Sequence, residues 1–206
     1  MHTVTRTLGL AMVVAAAVTA GAQGSTRVAV TPASKLWIEG TSNVHDWKCE
    51  ATPFDADIEI DGGGLSTAPA RLVKSVGVKV PVKALKCGHG KMDENVQKAL
   101  KADKNPDISY KLTTVEALPG TGKDDFILRT VGVLTMAGGE TKVNMDVNAT
   151  RLADGTIKAT GTVPVKMTSV GVKPPTAMLG TIRCGDEVKV KFELMVGPKV
   201  VAAIDR

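Results

Sequence analysis

Aromatic side chains are scarce: one Tyr, two Trp and three Phe in 206 residues. Proteins that grip bases or sugars do so with stacked aromatic platforms, so this composition argues against nucleic-acid and carbohydrate binding. Histidine is as rare. Beyond His2 there are only His45 and His89, and their spacing gives no Ser/His/Asp constellation. His45-Asp46 reads as a surface turn pair rather than an oriented base, so no catalytic residue is assigned. Three cysteines allow at most one disulfide and a spare thiol. The formal net charge is +5, and many lysines (Lys79, Lys83, Lys158, Lys189, Lys191) fall on the polar faces of alternating segments. That is a solvated outer surface, compatible with transient membrane-surface contact but not with a nucleic-acid footprint.

Long apolar runs are also missing, apart from one at the start. Arg6 is the only charged residue in the first 22, and Leu8 to Val18 is apolar. Ala20-Gly21-Ala22 then supplies the small residues of a signal-peptidase site. Such a run is too short for a bilayer core of about 30 Å, which predicts a cleaved secretory signal over residues 1–22. The remaining chain divides into a flexible lead-in (23–33), one domain (34–197) and a short tail (198–206). Export implies an oxidising compartment, where disulfides persist.

What the chain does contain is alternation. From Glu187 it reads EVKVKFELMV, with Val188, Val190, Phe192, Leu194 and Val196 on one face and Lys189, Lys191 and Glu193 on the other. A period of two is that of a strand buried on one side. The same period predicts strands at Ser34–Gly40, His45–Ile60, Leu72–Leu85, Asp107–Leu118, Asp125–Met136, Glu140–Leu152 and Thr156–Met167. Asp61-Gly62-Gly63-Gly64, Pro119-Gly120, Gly138-Gly139 and Asp154-Gly155 mark the breaks. The glycine run after Asp61 lacks the spacing of a phosphate-binding loop. One helix is predicted over Met92–Ala102, with Val96, Ala99 and Leu100 on one face and Asp93 and Glu94 in the first turn. The fold class is therefore all-β: eight antiparallel strands and one short helix, closed as a barrel or packed as a two-sheet sandwich.

If the second and third strands form a hairpin about Gly62–Thr67, facing residue numbers sum to roughly 130–136. His45, Cys49, Cys87 and His89 then gather near one end. A Cys49–Cys87 disulfide is one reading, leaving Cys184 free. A Cys2His2 metal site, with zinc first and copper second, is another, although its H-x3-C and C-x-H spacings are not those of a zinc finger. Val170 to Ile182, with Gly171, Pro174, Pro175 and Gly180, reads as a long loop. It serves either as a lid in which Met178 and Leu179 cover an opening, or as a crossover that plugs the barrel end.

Four strings in order resemble the YceI-like family. They are GTSNVHDW, MDENVQKALKADKNPDISY, the stretch from Val131 to Lys142 (VGVLTMAGGETK), and MTSVGVKPPTAMLGTIRCGDEVKVKFEL. The resemblance runs from Ser34 to Val196. It implies a lipocalin-like barrel in an exported, periplasmic protein (secreted as the second choice), a polyisoprenoid chain as ligand and no shared catalytic residues. Cys49 and Cys87 fall outside the family's pattern. On that footing the apolar members of the alternating strands become lumen candidates: Leu36, Ile38, Val78, Val80, Met145, Val147, Val163, Phe192 and Leu194, with Met178 and Leu179 at the mouth. The implied function is sequestration of a long-chain amphiphile, its tail in the lumen and its head group near Gly171–Gly180. No cofactor is expected beyond a bound isoprenoid or other lipid. A metal or redox accessory role for His45, Cys49, Cys87 and His89 is the alternative.

Overall fold

Inward aliphatic and outward polar side chains alternate along the strands, and that alternation closes the sheet on itself. The computed structural model describes residues 25–61 and 73–198. Twelve strands run in chain order: β1 (Ser25–Val30), β2 (Lys35–Ser42), β3 (Trp47–Ala51), β4 (Asp55–Asp61), β5 (Val73–Pro81), β6 (Leu85–Lys86), β7 (Asp107–Pro119), β8 (Asp125–Met136), β9 (Gly139–Arg151), β10 (Ile157–Lys166), β11 (Thr176–Ala177) and β12 (Ile182–Pro198). All pairings are antiparallel. Neighbours run β1-β4-β5-β7-β8-β9-β10-β12, and β12 pairs back onto β1, which makes a closed ring of eight. Closure removes the unpaired sheet edges that an open sandwich would leave.

The eight staves match the eight predicted strands, with three of them broken. β1 and β2 form the first, and both pair with β12. β3 and β4 form the second, parted at Thr52-Pro53-Phe54, where proline offers no amide to the ladder. The single strand expected over His45–Ile60 is thus two. β5 and β6 form the third, parted by a 3-10 turn at Val82–Ala84. Of the predicted Asp61–Gly64 turn, the glycines lie outside the described residues.

The expected flexible lead-in is corrected. Ser25–Val30 is a strand, paired with β4 from Ser25↔Asp61 to Val28↔Ile58 and with β12 at Val30↔Val196. Val28 buries its side chain in the barrel while Arg27 reaches Glu59 and Asp57 outside. The helix α1 (Gly90–Ala99) begins two residues before the predicted start and ends three before the predicted stop. Lys101 adopts φ 53°, which ends the helical path. Leu100 and Ala102, just past the helix, are buried against the core, and Val96 and Ala99 pack partly on it.

All strands run between the same two ends. At one lie α1, the Val82–Ala84 turn, the β2–β3 and β8–β9 turns and the β10–β12 connection. At the other lie the β7–β8 and β9–β10 turns.

Candidate functional site: an aliphatic lumen

The ring encloses a cavity of about 200 Å3. It is lined at one end by Ala51, Leu85 and Met136 and at the other by Ile60, Phe126 and Ile157, so it follows the barrel axis. Apart from Tyr110 and Thr130, every lining side chain is hydrocarbon or thioether. Thr130 donates its hydroxyl proton to the Met145 carbonyl (3.1 Å). The Tyr110 hydroxyl lies near Thr130 but falls short of hydrogen-bond geometry, and burial pushes its phenol up, with Thr130 offsetting part of the effect. The lumen therefore offers a ligand no charge and almost no polar contact.

Two glycines shape the bore. A Cβ on Gly132 would fall 2.4 Å from the Tyr110 ring, and one on Gly161 would fall 2.4 Å from the Phe192 ring. Each ring lies flat on the neighbouring strand where a side chain would otherwise project, so two of the chain's few aromatics widen the wall contact without filling the channel.

Leu36, Ile38, Val78, Val80, Met145, Val147, Val163, Phe192 and Leu194 all line this cavity. The sequence list omitted Ile58, Ile60, Val76, Ile108, Tyr110, Leu112, Phe126, Thr130 and Leu134, which line it too. Their period of two was visible. Thr130 was missed because it is polar, and its burial is explained only by the Met145 carbonyl beside it.

Met178 and Leu179 do not line the lumen, which corrects their expected place at a mouth. They are 73% and 109% exposed. The end beneath Gly171–Gly180 is filled instead by Met167 and Val170 of the 3-10 turn Met167–Val170 and by Val172, which pack into the core with Val82 and Leu85. Gly139 permits this approach, since a Cβ there would meet the Val170 carbonyl oxygen at 2.4 Å. A head group at this end requires that plug to part.

Asp186 latches the plug, accepting from the Thr168 amide (2.9 Å) and hydroxyl (2.7 Å). Those bonds hold its carboxyl below the usual carboxylate range. A depressed carboxylate contributes fully above its ordinary pKa and loses its effect as pH falls through the lowered value. The protection factor of the Thr168 amide, its exchange rate taken relative to the intrinsic rate at each pH, is therefore expected to fall on acidification below about pH 4. A protection factor that stays flat through that range would refute the latch.

A YceI-like domain model matches residues 30–196. The chain belongs to the YceI-like family. Solved structures with the same fold include Burkholderia cenocepacia BcnA, 21% identical with a TM-score of 0.60, covering 80% of this chain and 96% of that one. A polyisoprenoid binding domain from Saccharophagus degradans, implicated in plant cell wall breakdown, is 13% identical with a TM-score of 0.58 over 85% and 99% of the two chains. A Campylobacter jejuni YceI protein is 17% identical, with a TM-score of 0.52 over 71% and 82%. No curated protein matches the sequence.

On the YceI-like barrel the cysteines behave as one of the two readings required. Cys49 and Cys87 form a disulfide, with Cα atoms 4.0 Å apart. The pair continues the β3–β6 ladder, where Glu50 faces Lys86 and Ala51 faces Leu85. The bond takes both thiolates away from the alternative Cys2His2 site. No group of three His, Cys, Asp or Glu with metal-holding geometry occurs among the described residues. His45 is exposed on the β2–β3 turn and His89 caps α1, so the metal or redox role for these four residues loses its ligand set. Asp93 accepts the Cys87 amide (2.7 Å), tying the first turn of α1 to the disulfide. Cys184 is free and half-buried, and burial pushes its thiol up, against a smaller effect of Trp47.

Proposed function

We propose that this protein is an exported carrier that sequesters a long-chain amphiphile, a polyisoprenoid or related lipid, in the barrel lumen without transforming it. The observation that carries the reading is the continuous apolar lining, interrupted by polar atoms only at Tyr110 and Thr130. At about 0.8 kcal/mol per buried CH2, even a short isoprenoid tail offsets much of the 4–15 kcal/mol that association costs. The cavity, about 200 Å3, exceeds the roughly 150 Å3 apolar void that stays dry and takes up benzene elsewhere. It falls below the roughly 300–1,000 Å3 of drug-sized pockets. That size suits one slender chain, and a longer one would need the plug or the lining to yield.

The polyisoprenoid binding described for the Saccharophagus degradans domain supports the same ligand class. For export, cleavage after Ala22 would leave β1 intact, since its first residue is Ser25. Periplasmic residence follows from that reading, with secretion as the second choice. The carrier role is tested by native mass spectrometry of protein purified from its exporting host, followed by organic extraction. The expected result is a chain beginning at Gln23 that holds a solvent-extractable lipid. A clean ligand-free mass, unchanged by added isoprenoid, would remove the carrier role.

A further inference from the structure

Among the described residues, the large hydrophobic side chains left exposed are Val44, Met178 and Leu179. They come from distant parts of the chain, but hydrogen bonds from Asn43 join the two turns that carry them. β11 pairs with the start of β12 at Thr176↔Arg183 and Ala177↔Ile182, forming a small hairpin with Met178 and Leu179 at its turn. Asn43, next to Val44, clamps that hairpin: its side-chain amide donates to the Thr181 carbonyl (2.8 Å), and its side-chain oxygen accepts from the Arg183 amide (2.8 Å). Its backbone amide donates to the Arg183 carbonyl (3.1 Å). The Arg183 guanidinium donates to the Gly180 carbonyl (3.0 Å) and braces the turn from below.

The backbone at the tip is costly. Met178, Leu179 and Gly180 have φ of 50°, 54° and 88°, and the first two lie where only glycine and asparagine rest comfortably. A fold that holds two bulky apolar residues in left-handed geometry, and points them at solvent, gains nothing inside its own core from doing so. The charge on the connection that carries Met178 and Leu179 has one sign. From Lys166 to Arg183 the connection carries Lys166, Lys173 and Arg183 and no acid. Lys173 and Arg183 are exposed and form no ion pair among the described residues. Asp46 is the acid on the β2–β3 turn, and Asp186 is engaged by Thr168. Apolar residues at an apex with cations behind them match the layering of an anionic bilayer, acyl chains beneath phosphates.

We propose that Val44, Met178 and Leu179 form a docking tip for an anionic membrane surface, with Lys173 and Arg183 meeting lipid phosphates. The purpose, though not the geometry, rests on the carrier reading, because a water-insoluble lipid must be collected from or returned to a bilayer. The same connection that ends in this tip also supplies the plug, Met167–Val172, so docking brings the plugged end of the barrel to the membrane.

The test is co-sedimentation of the disulfide-bonded protein with phosphatidylcholine–phosphatidylglycerol vesicles, compared with phosphatidylcholine alone. The variant is Met178→Asn with Leu179→Asn, which suits the left-handed backbone and leaves the melting temperature unchanged or higher. Binding is expected to the anionic vesicles, weakening with salt and falling about ten-fold in the variant. Absence of vesicle binding by the parent protein, or equal binding by the variant, would overturn the proposal. A parallel assay without vesicles follows displacement of a fluorescent lumen dye by farnesol. It should be the same in both proteins. Loss of displacement in both would refute the carrier reading and leave the docking result standing.

Discussion

Replacing Ala159 with Phe is expected to abolish lipid retention, lowering the extractable lipid per protein by at least about ten-fold, while the barrel stays folded. Ala159 lines the cavity and sits between Ala149 on β9 and Leu194 on β12. A benzyl group there projects into space that is empty in the ligand-free barrel. Filling a void costs less than overpacking a dense core, which runs about 1–3 kcal/mol. The melting temperature should therefore move little or rise. The discriminating measurement is the pair of values, lipid content and melting temperature, from one preparation. Retained lipid with normal stability would mean that the ligand does not lie in the lumen.

Removal of the Cys49–Cys87 bond should give the largest loss of stability. The bond closes a loop with a sequence separation of 38, and cross-links of this kind contribute about 2–4 kcal/mol. For a chain of this size each kcal/mol shifts the melting temperature by roughly 2–4 °C. Cys49→Ala with Cys87→Ala is thus expected to melt about 4–16 °C lower. The parent protein in reductant should behave alike. Cys49 is 1% exposed and the bond joins β3 to the strand that leads into α1, so the loss should first loosen the helix. Calorimetry with and without reductant checks it. Identical melting in both conditions would show that the bond adds nothing to the native state.

Much of this architecture was readable because period two is a direct imprint of the pleat. β8 was predicted to the residue, and the residue sum that faced the second strand against the third is the observed one: Asp55 opposite Lys79, Glu50 opposite Lys86. That register is why the cysteine pairing could be anticipated. The breaks were less legible. Pro53 was in plain view, and the inward positions slip from odd numbers before it (Cys49, Ala51) to even numbers after it (Phe54, Ile58, Ile60), a change of phase that a single strand over His45–Ile60 does not accommodate. Val28 and Val30 alternate as a strand should, yet six residues carry too little pattern to signal pairing with a partner at the far end of the chain. Met178 and Leu179 were misplaced for another reason. Hydrophobicity alone points inward, whereas positive φ at both residues and the Asn43 clamp turn them out, and neither is encoded in composition.

The seam where β1 meets β12 joins residues near the two ends of the chain, Val30 with Val196. Pairings of such long sequence separation form late and make folding slow, because loop-closure entropy must be met before they contribute. Until that seam zips there is no lumen, only an open aliphatic trough along strands that are already paired. A hydrophobic chain present at that moment could be enclosed by the folding step itself rather than threaded afterwards. Refolding from denaturant with and without lipid would then trap different amounts of ligand from those taken up by the finished barrel.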